Sequence, residues 1–106
     1  MVQTLPPSVR LNPTEISIIK SSFKKTFSKG RIYLFGSRTD NTKRGGDIDL
    51  YIQSHNLSDP IQRLRKKLNF QMLVKTRLGD QKIDVLLETN PKSSIERVAI
   101  QQGIPL

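Results

Sequence analysis

The apolar positions along the chain fall into two periods. Ile16, Ile19, Phe23 and Phe27 recur at helical spacing behind Asn12-Pro13-Thr14-Glu15, which reads as an Asn cap, a Pro in the first turn and a Glu at the third position. This predicts a helix with one buried face, ended by Gly30. Arg31-Ile32-Tyr33-Leu34-Phe35 is short and rich in β-branched and aromatic residues, as a strand is. A second strand is expected from Asp47 to Gln53, with Ile48, Leu50 and Ile52 on one side and Asp47, Asp49 and Tyr51 on the other. After a loop from Ser54, Asp59-Pro60 opens a second helix expected to run through Arg77, with Ile61, Leu64, Leu68 and Met72 as its buried stripe. Gly79-Asp80 is a turn. A third strand follows from Lys82 to Leu87, in which Asp84 and Leu86 oppose Ile83, Val85 and Leu87, and a last helix is expected near Ser93 to Gln102, ending at Gly103.

The order helix, strand, strand, helix, strand, helix predicts an α+β fold: a small mixed β-sheet with helices packed on one face and the carboxylates on the other, open face. With 106 residues the chain suits one small domain, expected over 12–106 behind an N-terminal arm at 1–11. It has no cysteine, no apolar run of the roughly 20 residues that span a bilayer, and no secretory-type start. A cytoplasmic protein without membrane partners is the expectation.

Two acidic residues lead the second strand. Asp47 and Asp49, at i and i+2, share a face roughly 6.6 Å apart, and Asp84 lies in another apolar strand. Ionised carboxylates beside a core are costly unless something pairs with them. Oxygen donors without Cys or His suit Mg²⁺ or Mn²⁺, and two such ions sit about 3.5–4 Å apart in two-metal sites. Magnesium with few protein ligands shares substrate phosphates, which points to a nucleoside triphosphate. Separated from Asp47 by nine residues, Gly36-Ser37 stands at the end of the first strand. Gly36 allows close backbone approach, Ser37 adds a hydroxyl donor, and Arg38, Lys43 and Arg44 can neutralise phosphate. Asp40 reads as a turn former, and His55, the one histidine, as an exposed loop residue. Tyr51 on the carboxylate face suits either nucleotide contact or core packing.

Gly36-Ser37, a spacer of nine residues, Asp47-Ile48-Asp49 and the later Asp84 together resemble a minimal nucleotidyltransferase of the DNA polymerase beta superfamily. The resemblance spans about residues 12–106, and the ending from Ala99 to Leu106 is similar to the family's terminal helix and tail. The spacer is one residue shorter than the commonest form. The resemblance implies that Asp47 and Asp49 bridge two Mg²⁺ ions, that Asp84 binds the metal activating the acceptor hydroxyl, and that Gly36 and Ser37 hold the β- and γ-phosphates. The acceptor oxygen then attacks the α-phosphorus in line and pyrophosphate leaves. Small free-standing members resemble the antitoxin half of HEPN/MNT pairs. This implies transfer of AMP from ATP to a hydroxyl of a HEPN-type protein partner.

Two other function classes compete. One is a binding module that neutralises its partner by contact alone, for which three carboxylates serve no purpose. The other is nucleic-acid binding, suggested by a formal charge of +9 from 18 Lys and Arg against 9 Asp and Glu. No nucleic-acid motif accompanies that charge, and the basic residues form no single dominant stripe. The open sheet edge and the arm at Leu5-Pro6-Pro7 leave oligomerisation open.

Overall fold

The computed structural model describes residues 11–35, 48–54, 58–79, 82–89 and 91–106. Helix α1 (Pro13–Phe27) starts as its sequence requires: Asn12 accepts from the Glu15 amide at 2.8 Å and the Glu15 carboxylate accepts from the Asn12 amide at 3.0 Å. Leu11 and Ile16 occupy the two staple positions around this cap, and both belong to the main core cluster. Ile19, Phe23 and Phe27 are buried, as the helical spacing implied. The helix ends at Phe27, with Ser28 at φ 62, ahead of the expected stop at Gly30. Gly30 has a different task. At φ +127 the backbone passes so close to β2 that a Cβ there would lie 2.0 Å from the Gln53 carbonyl oxygen.

Strand β1 (Arg31–Phe35) pairs antiparallel with β2 (Ile48–Gln53), which pairs parallel with β3 (Ile83–Leu87). The parallel pair is joined through helix α2 (Pro60–Leu78), capped by Asp59. Helix α3 (Ser94–Gln102) follows β3, and Gly103 releases the chain into β4 (Ile104–Pro105), a short edge strand antiparallel to β1 that the sequence did not signal. The sheet order is β3-β2-β1-β4, a mixed sheet as expected.

Alternation along the strands divides the core. Ile32, Leu34, Ile48, Leu50, Ile52, Ile83 and Val85 face α1 and α2 and join Ile19, Phe23, Phe27, Phe70 and Val74. Tyr33 and Tyr51 face the other way, with ring centroids 5.9 Å apart, and cluster with Ala99 of α3. Helices α1 and α2 therefore cover one face, while α3 lies against part of the opposite one.

The outward and inward sides of α2 are reversed relative to the sequence expectation. Ile61, Leu64, Leu68 and Met72 are exposed, whereas Phe70 and Val74 are fully buried. The physical reason lies in what accompanies each stripe. Phe70 supplies the largest apolar side chain of the helix and meets Phe27 edge-on at 6.0 Å. The polar residues beside it reach backbone carbonyls at the margins of the inner face. Arg63 donates to Glu88 O at 2.6 Å, Lys66 to Thr26 O at 2.9 Å and Gln71 to Ile83 O at 3.0 Å. Long basic side chains thus lay their stems along the interface while their heads are satisfied at its edge.

Candidate active site

The site is organised by the β2–β3 pairing. Asp49 is the register partner of Asp84, between Ile48↔Ile83 and Leu50↔Val85. Side chains directly across a parallel pair project from the same face, and adjacent strands lie about 4.8 Å apart. The flanking Ile and Leu/Val pairs are buried on the α1/α2 side, so Asp49 and Asp84 stand on the other side. Asp84 is exposed and Asp49 half-buried. Asp49 also faces Phe35, the last residue of β1. Strand β1, which Gly36-Ser37 follows in the sequence, therefore ends beside the carboxylates.

Of the residues expected at the site, the structure brings Asp49 and Asp84 together. Gly36, Ser37, Arg38, Lys43, Arg44 and Asp47 lie outside the described residues, as do Asp40 and His55. Among the described residues no group of three or more His, Cys, Asp or Glu is assembled. The donor set that is described consists of carboxylate oxygens from neighbouring strands, and it suits a hard divalent cation. Two like charges this close repel each other, and a cation between them removes that cost.

The same face is closed further along by Tyr51, which the strand alternation placed on the carboxylate side, and by Glu96, which sequence reasoning missed. Tyr51, two residues after Asp49, is fully buried and donates its hydroxyl hydrogen to Glu96 Oε1 at 2.9 Å. Core packing, rather than nucleotide contact, is thus the role of Tyr51. Glu96 is buried too. It accepts from the Thr89 amide at 2.8 Å, the Ser93 amide at 2.8 Å, the Ser93 hydroxyl at 2.9 Å and, very closely, the Thr89 hydroxyl. Burial pushes the Glu96 carboxyl up, but the bonds from Thr89, Ser93 and Tyr51 jointly outweigh it and hold the pKa at about 2. Burial first, then the bond to Glu96, pushes the Tyr51 hydroxyl well above its ordinary range. A helix starting near Ser93 was expected from the sequence; its capping box, Ser93 with Glu96, and the tie from Glu96 to a tyrosine 45 positions away were not. Helix α3 is thereby fastened over the second half of the face, leaving the Asp49/Asp84 end uncovered by helix among the described residues.

Residues 18–106 match the family model described as Polymerase beta, Nucleotidyltransferase. The chain belongs to the polymerase beta nucleotidyltransferase family. Its expected fold class is also that of solved structures. A MntA–HpeT toxin–antitoxin complex, a mutant in which two aspartates two positions apart are changed to glutamate, is 25% identical with a TM-score of 0.62 over 90% of this chain and 71% of that one. A tri-AMPylated HEPN toxin of Shewanella oneidensis in complex with its MNT antitoxin gives 25% identity and a TM-score of 0.57, covering 86% of this chain and 66% of that one. A toxin–antitoxin structure with AMP-PNP shares the fold at 24% identity and a TM-score of 0.64, over 90% of this chain and 72% of that one. No curated protein matches. For this nucleotidyltransferase, no helix among the described residues is long and apolar enough to cross a membrane.

Proposed function

We propose that this nucleotidyltransferase moves AMP from ATP to a hydroxyl of a HEPN-type protein partner, as the antitoxin of that partner. The observation that carries the reading is the in-register pairing of Asp49 with Asp84 on the open end of the sheet face. The two structural relatives at 25% identity, one an AMPylated HEPN toxin with its MNT antitoxin, support the acceptor class.

In this reading Asp47, Asp49 and Asp84 hold Mg²⁺. When bound, magnesium neutralises phosphate charge and makes the acceptor hydroxyl easier to deprotonate. Gly36 and Ser37 bind the β- and γ-phosphates. Arg38, Lys43 and Arg44 balance the charge of the triphosphate and of the departing pyrophosphate. The acceptor oxygen forms a bond to the α-phosphorus as the bond to the β-phosphate oxygen breaks, and the acceptor proton passes to Asp84 or to solvent. In-line positioning requires the phosphate turn and the carboxylates to sit at one end of the sheet. The register of Phe35 with Asp49 supports that placement.

The test is transfer of label from α-phosphate-labelled ATP with Mg²⁺ in a host-cell extract, comparing the natural protein with Asp49→Asn. A labelled protein band that depends on Asp49 supports the reading and identifies the acceptor by mass. Absence of any band, with a defined partner still bound by both proteins, favours neutralisation by contact.

A further inference from the structure

The outward side of α2 is an unusual surface for a chain this small. Ile61, Leu64, Leu68 and Met72 are 64%, 56%, 52% and 69% exposed, and they follow one another at intervals of three, four and four residues. That spacing makes a single apolar ridge along the helix, the geometry by which one helix seats against another. Exposed ridges of this kind mark interaction sites more often than isolated apolar residues do.

The charge around the ridge selects its partner. Helix α2 carries Arg63, Arg65, Lys66, Lys67, Lys75 and Arg77 and no Asp or Glu. Beside Met72 an open groove of about 470 Å³ runs between α2 and the end of α1, lined by Leu73, Asn69, Thr76 and the two lysines Lys25 and Lys66. We infer that the Ile61/Leu64/Leu68/Met72 ridge, with this groove, is a docking surface for another protein, contacted by an apolar helix edged with carboxylates.

Three further observations favour that occupant. A second copy would bring two chains of charge +9 together through helices that bear only basic residues, which is repulsive. A lipid surface is a poorer match, because the ridge is one residue wide and carries no aromatic anchor, and the opposite side of α2 is committed to the core through Phe70 and Val74. Finally, the ridge and the Asp49/Asp84 pair lie on opposite sides of the sheet, so a partner seated on α2 leaves the carboxylate end accessible. The inference rests on the α2 surface and not on nucleotide chemistry.

The test is an NMR titration of the full chain with two synthetic amphipathic helical peptides of equal length and identical leucine seam, one flanked by glutamates and the other by lysines. The glutamate peptide is expected to shift the signals of Leu64, Leu68, Met72 and Lys25, to bind more weakly as salt is raised, and to lose at least about tenfold in affinity with Leu68→Glu, a variant whose exposed site leaves the fold intact by circular dichroism. Asp49→Asn is expected to bind it as the natural protein does, which separates this surface from the transfer reaction. Equal binding of the lysine peptide, shifts scattered away from α2, or no binding of either peptide overturns the inference. So does a dimer in sedimentation that Leu68→Glu converts to monomer, or Leu68-dependent binding to anionic vesicles in place of peptide binding.

Discussion

Asp49 and Asp84 face each other in register across the parallel β2–β3 pair, two carboxylates on one face with a buried apolar pair on either side. Such a pairing is unfavourable for the strands themselves.

Asp84→Asn is therefore expected to leave stability unchanged or raise it slightly, within about 0.5 kcal/mol, because it removes like-charge repulsion at an exposed site. Label transfer is expected to fall at least about a hundredfold, since a donor for the cation is lost. Thermal denaturation and transfer assays on the same preparation check the two together. A large loss of stability would mark Asp84 as a structural residue.

The Glu96 network sets the response to acid. The folded-state pKa of about 2 lies below the ordinary value of 4.5, so the stability it contributes is fully present above pH 4.5 and is lost as pH falls toward 2. The shift corresponds to roughly 3 kcal/mol for this buried group. Glu96→Gln is expected to lower stability at pH 7 and to flatten the acid limb of a plot of denaturation midpoint against pH. An unchanged acid limb in the variant would assign acid sensitivity to other carboxylates.

Tyr51 acts at the other end of the scale. Its hydroxyl is held protonated, so its contribution is fully present below pH 10 and lost as pH rises beyond that. Tyr51→Phe leaves the ring packed but removes one donor from Glu96, and is expected to cost about 1–3 kcal/mol. Spectrophotometric titration should find one tyrosine that ionises only with unfolding in the natural protein, and lose that component in the variant.

Substitutions along α2 should separate its two sides. Phe70→Ala, in the core, is expected to cost about 3–5 kcal/mol, whereas Leu68→Ala is expected to stay within about 0.5 kcal/mol. Chemical denaturation measures both. Similar costs at the two positions would put the ridge inside the fold.

Gly30→Ala combines a positive φ with a Cβ overlapping the Gln53 carbonyl, so it should destabilise by more than the roughly 1 kcal/mol typical of glycine replacements. A destabilisation no larger than that would show that β2 yields at its end.

Much of this architecture was legible in the sequence because it depends on local chemistry. The capping box at Asn12–Glu15, the cap at Asp59, the bounds of β1 and the alternation Ile48/Leu50/Ile52 against Asp49/Tyr51 follow from neighbours a few residues apart. The placement of Asp49 and Asp84 on one side of the sheet was likewise readable from strand period alone. Their register was not, because it depends on how the α2 crossover seats β3 beside β2.

Helix α2 marks the limit most clearly. Its sequence carries two stripes at helical spacing, Ile61/Leu64/Leu68/Met72 and one centred on Phe70 and Val74, and periodicity alone does not choose between them. The choice was made by α1 and the sheet. Phe70 found Phe27, and Arg63, Lys66 and Gln71 found carbonyls at the margin of the interface. The bond from Tyr51 to Glu96 has the same origin, since a carboxylate is tolerated in the interior only where the folded chain brings enough donors to it. Sequence by itself determined the three helices, the strands β1, β2 and β3 and which strand face carries the acids, because those are short-range properties of the chain, whereas β4 depends on pairing with β1. Tertiary structure decided which side of α2 turns inward and how Glu96 is buried, because both depend on groups that meet only when distant segments pack.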